Sequence, residues 1–297
     1  MIEVKNLCKN FEGFWALDHC NLYVKKGAVY GLVGPNGSGK TTLIRHLAGV
    51  YHQDEGDLFV GQQPVYENTK IKQTIAYIPD DLYTFPQANV TEMARFYRSV
   101  YPKFDLERFN RLSEVFQIDK KKNIRRLSKG MQKQVAFWLM ACIGADVFLL
   151  DEPVDGLDPV MRRTVWSILL QDVAERGTTV LVSSHNLREL EDVCDHVGIM
   201  HKGKVVLERS LSDMQGNITK IQVVAQDGKN ISVDFPVLHK SDTGKISTYI
   251  VRGTQEQIIQ ALSVQNPLLL EALPLTLEEI FIYELGGMDY EVSNILF

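Results

Sequence analysis

The stretch Gly34-Pro35-Asn36-Gly37-Ser38-Gly39-Lys40-Thr41 decides the fold of the larger, N-terminal part of this chain. It matches the pattern G-x-x-x-x-G-K-[ST] in full. A short apolar run precedes it and a helical pattern follows it, which predicts a strand, a turn and a helix. Glycines in such a turn let backbone N–H groups converge on phosphate oxygens. We therefore predict a phosphate-binding loop, with Lys40 on the β- and γ-phosphates and the Thr41 hydroxyl on Mg²⁺.

A second apolar run ends in two adjacent carboxylates. It reads Val147-Phe148-Leu149-Leu150-Asp151-Glu152 and predicts another buried strand. Asp151 at the strand end is expected to hold Mg²⁺, and Glu152 is expected to polarise an attacking water. Acidic pairs on loops usually belong to the solvated surface. The buried strand before this pair and Pro153 after it favour a functional reading.

Composition excludes several classes of protein. The chain has 297 residues, which suggests about two domains at roughly 150 residues each. It carries 37 acidic and 32 basic residues, and this mild acidity argues against nucleic acid as the main ligand. There is no apolar run of bilayer length and no C-x-x-C pair among the four cysteines, and the pattern of the first residues does not predict a signal peptide. We predict a cytoplasmic protein with reduced thiols.

The remaining pattern alternates strands and helices. Ile2-Glu3-Val4 and residues 20–24 predict a small antiparallel sheet at the N-terminus. Further strands are predicted at 178–183 and in a hairpin across Lys202-Gly203, and helices at 90–97, 106–116, 162–176 and 187–194. Such alternation indicates a parallel sheet with crossover helices. After residue 210 the pattern predicts a small α+β tail, with strands at 219–224, 231–235 and 246–251 and helices at 255–264 and 277–285.

Three further motifs carry a family resemblance. Leu127-Ser128-Lys129-Gly130-Met131 resembles the L-S-G-G-Q signature loop of the ABC ATPases. The run from Asp151 to Pro159 is similar to their Walker B motif and D-loop, and Ser183-Ser184-His185 resembles their switch histidine. All motifs occur in family order, and a P-loop kinase would account for neither the signature nor His185. Residues 1–210 are therefore identified as an ABC ATPase domain, with a helical subdomain at about 83–145, followed by an α+β accessory domain at 211–297.

The resemblance implies an α/β P-loop fold and an ATP site completed by a second ATPase subunit, in a homodimer or a heterodimer. In such head-to-tail dimers Ser128 and Gly130 reach the γ-phosphate bound by the partner, and Asp158 contacts its phosphate loop. Ser128 also suits a helix N-cap, and both roles are compatible. His185 would orient the water with Glu152, and Phe11 would stack on adenine unless it belongs to the core. The nucleotide-binding set implied by the family also contains Gly34, Asn36, Gly37, Ser38, Gly39, Lys40, Thr41, Thr42 and Asp80.

Some positions depart from the family pattern. Asp80 follows Tyr77-Ile78-Pro79, where the family usually has the glutamine of its Q-loop. A carboxylate there can still reach Mg²⁺ or a bound water, so Asp80 is also expected as a metal ligand beside Thr41 and Asp151. Lys129 and Met131 alter the signature. Lys129 either attracts ATP across the dimer or is a solvated lysine at a helix start.

The family also implies a transport function. ATP-driven dimerisation would power a separate integral membrane permease, with this chain on the cytoplasmic face of the membrane and without direct contact to nucleic acid. Leu275-Thr276-Leu277 and the residues to Phe281 resemble the end of bacterial cassettes paired with ABC-2-type permeases, which are often exporters. An apolar cluster would either form the permease groove or the core of the helical subdomain: Leu82, Tyr83, Phe85, Phe96 and Tyr97.

The alternative to a transporter subunit is a soluble ABC-type ATPase acting on ribosomes or nucleic acid. Those proteins usually carry two cassettes or a long coiled coil, which this sequence does not have.

Overall fold

A computed structural model describes residues 1–210, 218–226, 231–276, 279 and 283. The chain divides into two compact units. The first contains Met1–Asn186 and Val193–Glu208, and the second contains the described residues of Leu187–Asp192 and Arg209–Phe297. None of the helices in the described ranges is both long and apolar enough to cross a bilayer.

The N-terminal antiparallel sheet predicted from the sequence is confirmed, with longer strands than the pattern indicated. Its order is β2-β1-β4-β5. The strands are β1 (Ile2–Phe11), β2 (Phe14–Val24), β4 (Glu55–Val60) and β5 (Gln63–Pro64). β1 and β2 form a hairpin in which Ile2 lies opposite Val24, and Phe11 lies opposite Phe14 beside the turn. The hairpin therefore places two aromatic residues next to each other at one end of this sheet.

The central sheet contains the strands that carry the sequence motifs. Its order is β10-β9-β3-β8-β7-β6. The strands are β3 (Val29–Val33), β6 (Ile75–Ile78), β7 (Val147–Asp151), β8 (Thr179–Ser184), β9 (His196–His201) and β10 (Lys204–Ser210). The pairs from β6 through β7, β8 and β3 to β9 are parallel. Every residue of β3, β7 and β8 is buried, as their continuous apolar runs predict. Asp151 lies opposite Ser183, so the carboxyl ends of β7 and β8 meet at one edge of the sheet.

Helices connect and cover these strands. They are α1 (Lys40–Leu47), α2 (Thr69–Lys72), α3 (Val90–Val100), α4 (Leu106–Phe116), α5 (Lys129–Ala141) and α6 (Pro159–Arg176). Trp138 of α5 is fully buried and stacks on Phe109 of α4, with ring centroids 4.8 Å apart. Its indole N–H donates to the Phe109 carbonyl at 2.9 Å. The helices predicted around residues 90–97, 106–116 and 162–176 are confirmed.

An ion pair joins α4 to α6. Arg108 donates two hydrogen bonds to the carboxylate of Asp172, at 2.6 and 2.9 Å, and Arg176 approaches the same carboxylate at 2.6 Å. Asp172 is buried, so its charge depends on these partners. The pair anchors the helical region to the helix that follows β7.

The helix predicted at 187–194 was wrong. The structure has a 3-10 turn at Leu187–Glu189, followed by further turns. The spacing of apolar residues suggested α-helix, but the Leu190 N–H bonds three residues back, to the Leu187 carbonyl. The Asp195 N–H donates to the Val29 carbonyl, which fixes the chain beside β3 before β9 begins.

The second unit has its own four-stranded sheet, in the order β12-β13-β11-β14. The strands are β11 (Ile218–Val224), β12 (Val237–Thr243), β13 (Ile246–Arg252) and β14 (Leu269–Leu273), with helix α7 at Gln255–Ser263. The strands predicted at 219–224 and 246–251 and the helix predicted at 255–264 are confirmed. β12 and β14 were not foreseen. The helix predicted at 277–285 lies outside the described residues except for Glu279 and Tyr283.

The strand predicted at 231–235 was also wrong. Its alternating apolar residues Ile231, Val233 and Phe235 do pack on the core of the second unit. The backbone, however, bonds to a side chain. The Ser232 N–H donates to Gln265 Oε1 at 2.9 Å, and Gln265 Nε2 donates to the Ser232 carbonyl at 2.8 Å. These polar groups are therefore satisfied without a neighbouring strand.

Candidate functional site

The glycine-rich loop lies between β3 and the first turn of α1. Gly39 has φ 108°, a left-handed conformation that side chains rarely adopt, and a Cβ there would lie 2.5 Å from the Ala16 carbonyl. A Cβ on Gly37 would meet nothing within 4 Å. The loop is therefore packed tightly against β2 on one side and open on the other, as an anion-binding loop requires.

The open side of the loop forms a cleft of about 230 Å³. The cleft brings together nine residues that the sequence analysis selected: Asn36, Gly37, Ser38, Gly39, Lys40, Thr41, Thr42, Asp80 and Glu152. Two further lining residues, Phe14 and Ala16, come from β2 and were not foreseen. The hairpin register could have identified Phe14, because it lies opposite Phe11.

Lys40 extends along its own loop. Its Nζ donates to the Gly34 carbonyl at 2.5 Å and to the Pro35 carbonyl at 3.3 Å. It lies 3.9 Å from Glu152 Oε1. Burial lowers the pKa of Lys40, and the nearby charges of Glu152 and Asp151 oppose that shift. The ammonium is thus held beside the carboxylates, where a phosphate chain would compensate its desolvation.

Asp151 contacts two hydroxyl side chains, an arrangement that suits a magnesium site. Its Oδ1 accepts hydrogen bonds from Ser183 Oγ at 2.7 Å and from Thr41 Oγ1 at 3.2 Å. Its Oδ2 is buried and has no hydrogen-bond partner among the described residues. An orphaned buried carboxylate oxygen beside a threonine hydroxyl fits a hard cation with oxygen ligands. The Oγ of Ser38 is likewise buried and unpartnered within the part of the chain that the structure describes.

Glu152 leaves the strand in a left-handed conformation, with φ 47°. Its N–H donates to Ser183 Oγ at 3.1 Å, and its Oε2 lies 3.0 Å from His185 Nδ1. Burial raises the pKa of Glu152, while the hydrogen bond and charge of His185 and the charge of Lys40 oppose the rise. A carboxylate held next to an imidazole at the edge of a phosphate-binding cleft has the geometry of a general base. Ser183 donates to the Asp151 carboxylate and accepts from the Glu152 backbone N–H, and no role was predicted for it from the sequence.

Asp80 follows β6 and lines the same cleft. Its Oδ1 accepts a hydrogen bond from Lys133 Nζ at 3.0 Å, and the same ammonium donates to the Glu152 carbonyl at 2.9 Å. Lys133 was not predicted from the sequence. The signal for it was Asp80 itself, because a carboxylate at the Q-loop position needs a nearby cation to balance its charge.

Residues of the signature and D-loop lie outside this cleft and begin helices. Ser128 caps α5, accepting a hydrogen bond from the Met131 N–H at 3.2 Å. Asp158 caps α6, accepting from the N–H groups of Val160 and Met161, both at 3.0 Å. A Cβ on Gly130 would lie 2.8 Å from the Gly156 carbonyl, so the signature packs closely against the segment after β7.

Phe11 is 39% exposed and does not line the cleft. Its ring packs edge-on against Tyr51, with centroids 5.5 Å apart, and Lys9 Nζ lies 5.6 Å from the ring centre. The four cysteines, all within the described residues, are buried free thiols. Burial raises the pKa of Cys20 and Cys142 to about 12, which makes them unreactive.

Comparisons with known proteins agree with this geometry. The family described as ABC transporter matches residues 17–155. The ABC transporter ATP-binding protein YtrB of Bacillus subtilis is 31% identical over 290 residues, which cover 97% of this chain and 99% of YtrB.

Solved structures show the same fold in the first part of the chain. The ATP-binding subunit of an ABC transporter superposes with a TM-score of 0.67 at 25% identity, covering 72% of this chain and 92% of that one. The dimeric cassette MJ0796 has a TM-score of 0.65 at 22% identity and covers 71% of this chain and 99% of its own. Motifs, site geometry and the full-length similarity to YtrB lead to one conclusion: the chain belongs to the family of ABC transporter ATP-binding proteins.

Proposed function

We propose that this protein hydrolyses ATP with Mg²⁺ and drives a separate membrane permease. The observation that carries the proposal is the position of Glu152, with one carboxylate oxygen 3.0 Å from His185 and the other 3.9 Å from Lys40. One carboxylate oxygen of Glu152 therefore faces the imidazole that would orient the base, and the other faces the ammonium that would bind phosphate. That arrangement suits attack of water on a terminal phosphate.

Nucleotide binding is assigned to the loop and to the first turn of α1. The backbone of residues 36–39 would hold the phosphates, Lys40 would contribute charge, and the hydroxyls of Ser38 and Thr42 line the same cleft. Magnesium would neutralise charge on the transferred phosphoryl group, and Thr41, Asp151 and Asp80 are the side chains that would hold it. Phe14 lines the cleft and Phe11 lies opposite it in the hairpin, so the adenine base is proposed to stack at this aromatic end.

Hydrolysis is assigned to Glu152 as the base that takes a proton from water. His185 is proposed to fix the Glu152 carboxylate and to contact the γ-phosphate. Ser183 is proposed to let the two neighbouring carboxylates take different roles. Its hydroxyl donates to the Asp151 carboxylate and accepts from the backbone N–H of Glu152.

A second ATPase subunit, identical or homologous, is proposed to complete the site. Ser128, Gly130 and Asp158 lie at helix starts outside the chain's own cleft, which leaves them for a nucleotide or loop of the partner. The relative MJ0796 is described as dimeric, which supports this arrangement. In the same scheme ATP closes the dimer and hydrolysis reopens it.

A permease is the proposed load. The helical region exposes Tyr83, Phe85 and Phe96, and the rings of Phe85 and Phe96 touch with centroids 5.0 Å apart. An exposed aromatic cluster is typical of a protein contact. It would place the chain on the cytoplasmic face of a membrane. The transporter names of the relatives and the net charge of −5 do not favour the alternative, an ATPase acting on ribosomes or nucleic acid.

Affinity purification from detergent-solubilised membranes tests the proposal. The tagged chain is expected to carry a multi-spanning protein with it, and the complex is expected to release phosphate from ATP. A Lys40→Ala chain should copurify the same protein without hydrolysing ATP. Recovery of ribosomes in place of a membrane protein, or a complex without ATPase activity, would contradict the assignment.

A further inference from the structure

Lys133 joins two parts of the proposed active site from outside the cleft. It lies in the second turn of α5, and its side chain is 11% exposed. Its Nζ donates to Asp80 Oδ1 at 3.0 Å and to the Glu152 carbonyl at 2.9 Å. One ammonium therefore contacts both the residue after β6 and the residue after β7.

The charges of the cleft explain why such a cation matters. Among the described residues that line the cleft, Asp80 and Glu152 are acidic and Lys40 is the one basic residue. Asp151 adds a third carboxylate, bonded to Thr41. A nucleotide triphosphate is itself a polyanion, and an uncompensated carboxylate in the cleft would repel it. The Asp80 side chain is 54% exposed, and Lys133 is its ion-pair partner.

The second contact of Lys133 acts on backbone geometry. Glu152 has a left-handed backbone, which costs a non-glycine residue free energy and persists only where neighbours fix it. The Lys133 ammonium holds its carbonyl, and Ser183 holds its N–H at 3.1 Å. Both sides of this strained residue are thus anchored by side chains.

We propose that Lys133 is a positioning residue with two separable effects: it neutralises Asp80 so that the cleft accepts ATP, and it fixes the backbone of Glu152 for hydrolysis. The inference rests on the proposed ATPase function. Loss of the first effect weakens ATP binding, and loss of the second slows turnover. In a chain without the Asp80 charge, loss of Lys133 should no longer weaken ATP binding but should still slow turnover.

A double-mutant cycle separates this proposal from a packing role of Lys133. Lys133→Met is expected to bind MgATP about tenfold more weakly, the size of coupling found between contacting charges. Asp80→Asn combined with Lys133→Met should bind within about twofold of Asp80→Asn alone. Turnover at saturating ATP should be reduced in both chains that lack Lys133. Lys133→Arg keeps the charge and should retain the affinity.

Three further readouts and one control variant make the cycle decisive. Thermal unfolding of each purified full-length variant establishes that it is folded, and Lys122→Met serves as an exposed lysine control. Binding of adenosine, which has no charge, should not change in Lys133→Met. The affinity loss for MgATP should shrink as ionic strength rises.

Additive effects of the two substitutions on MgATP binding would overturn the inference, as would an equal loss for adenosine. A wild-type chain that neither binds nor hydrolyses ATP would overturn the proposed function itself. The two failures are therefore distinguishable.

Discussion

The carboxylate of Glu152 lies 3.0 Å from Nδ1 of His185, in a chain segment where burial raises the pKa of that carboxylate. The left-handed backbone of Glu152 directs this contact, and the bond from its N–H to Ser183 holds it. The Glu152 carboxyl group thus keeps its proton more readily than a free glutamate does. The imidazole of His185 lies beside it and orients it.

The raised pKa of Glu152 predicts a specific pH dependence. In the proposed mechanism hydrolysis requires the ionised carboxylate, so the rate should fall on acidification at a higher pH than a free glutamate would give. A carboxyl group with a raised folded-state pKa stabilises the fold below its unfolded pKa and loses that contribution as pH rises through the folded value. Glu152→Gln should therefore be more heat-stable than wild type at neutral pH, with the difference vanishing in acid. Calorimetry across pH checks this, and a variant less stable at neutral pH would contradict it.

Ser183→Ala should damage hydrolysis more than ATP binding. The hydroxyl is buried, donates to Asp151 and accepts from the Glu152 N–H. Leaving those partners unsatisfied should also lower the free energy of unfolding by about 1–3 kcal/mol. Ser184→Ala is the matched control, because that buried hydroxyl bonds to the Asn186 backbone. Denaturant titration and phosphate release measure both effects. Equal turnover in the two variants would remove Ser183 from the site.

Phe14→Ala should weaken binding of ATP and leave binding of tripolyphosphate unchanged. The ring is 63% exposed and lines the cleft, and stacking of a base on an aromatic ring contributes about 1–3 kcal/mol. The expected loss for ATP is about tenfold. Trp15→Ala is the control, since Trp15 is exposed on the same strand without lining the cleft. Competition binding measures the two ligands. An equal loss for both would mean that Phe14 acts on the phosphate loop.

Phe96→Asp should prevent copurification of a permease while leaving the ATPase activity of the free chain intact. Phe96 and Val115 are each 42% exposed on the helical region, but Phe96 alone of the two contacts Phe85. Val115→Asp is therefore a control of equal exposure and charge. Equal recovery of the membrane partner with both variants would place the contact elsewhere.

The parts of the fold that the sequence predicted are those where local pattern and packing agree. The apolar runs of β3, β7 and β8 fit one environment, a buried parallel sheet. The sequence alone therefore identifies them as buried strands and gives their order along the chain. The conformation of the glycine-rich loop likewise follows from its own residues.

The rest depended on tertiary contacts. Residues 231–235 alternate like a strand, but the Ser232 N–H and carbonyl both bond to the side chain of Gln265, 33 positions away. Lys133 is 53 positions from Asp80, and Phe14 enters the cleft through a hairpin. No local pattern marks such pairs, although Asp80 at the Q-loop position indicated that a counter-charge was required. The roles of all the selected residues toward nucleotide, magnesium and water stay predictions, and Ser128, Gly130, Asp158 and Phe11 in addition lie outside the cleft.

Release of phosphate from pre-bound ATP, in a single turnover at equal nucleotide occupancy, tests the central claim most directly. Glu152→Gln should hold ATP as tightly as wild type and hydrolyse it at least about a hundredfold more slowly, because a general base contributes that much. Glu175→Gln, an exposed carboxylate on α6 that bonds Gln171, should hydrolyse normally. A Glu152→Gln chain that releases phosphate at the wild-type rate would show that Glu152 is not the base.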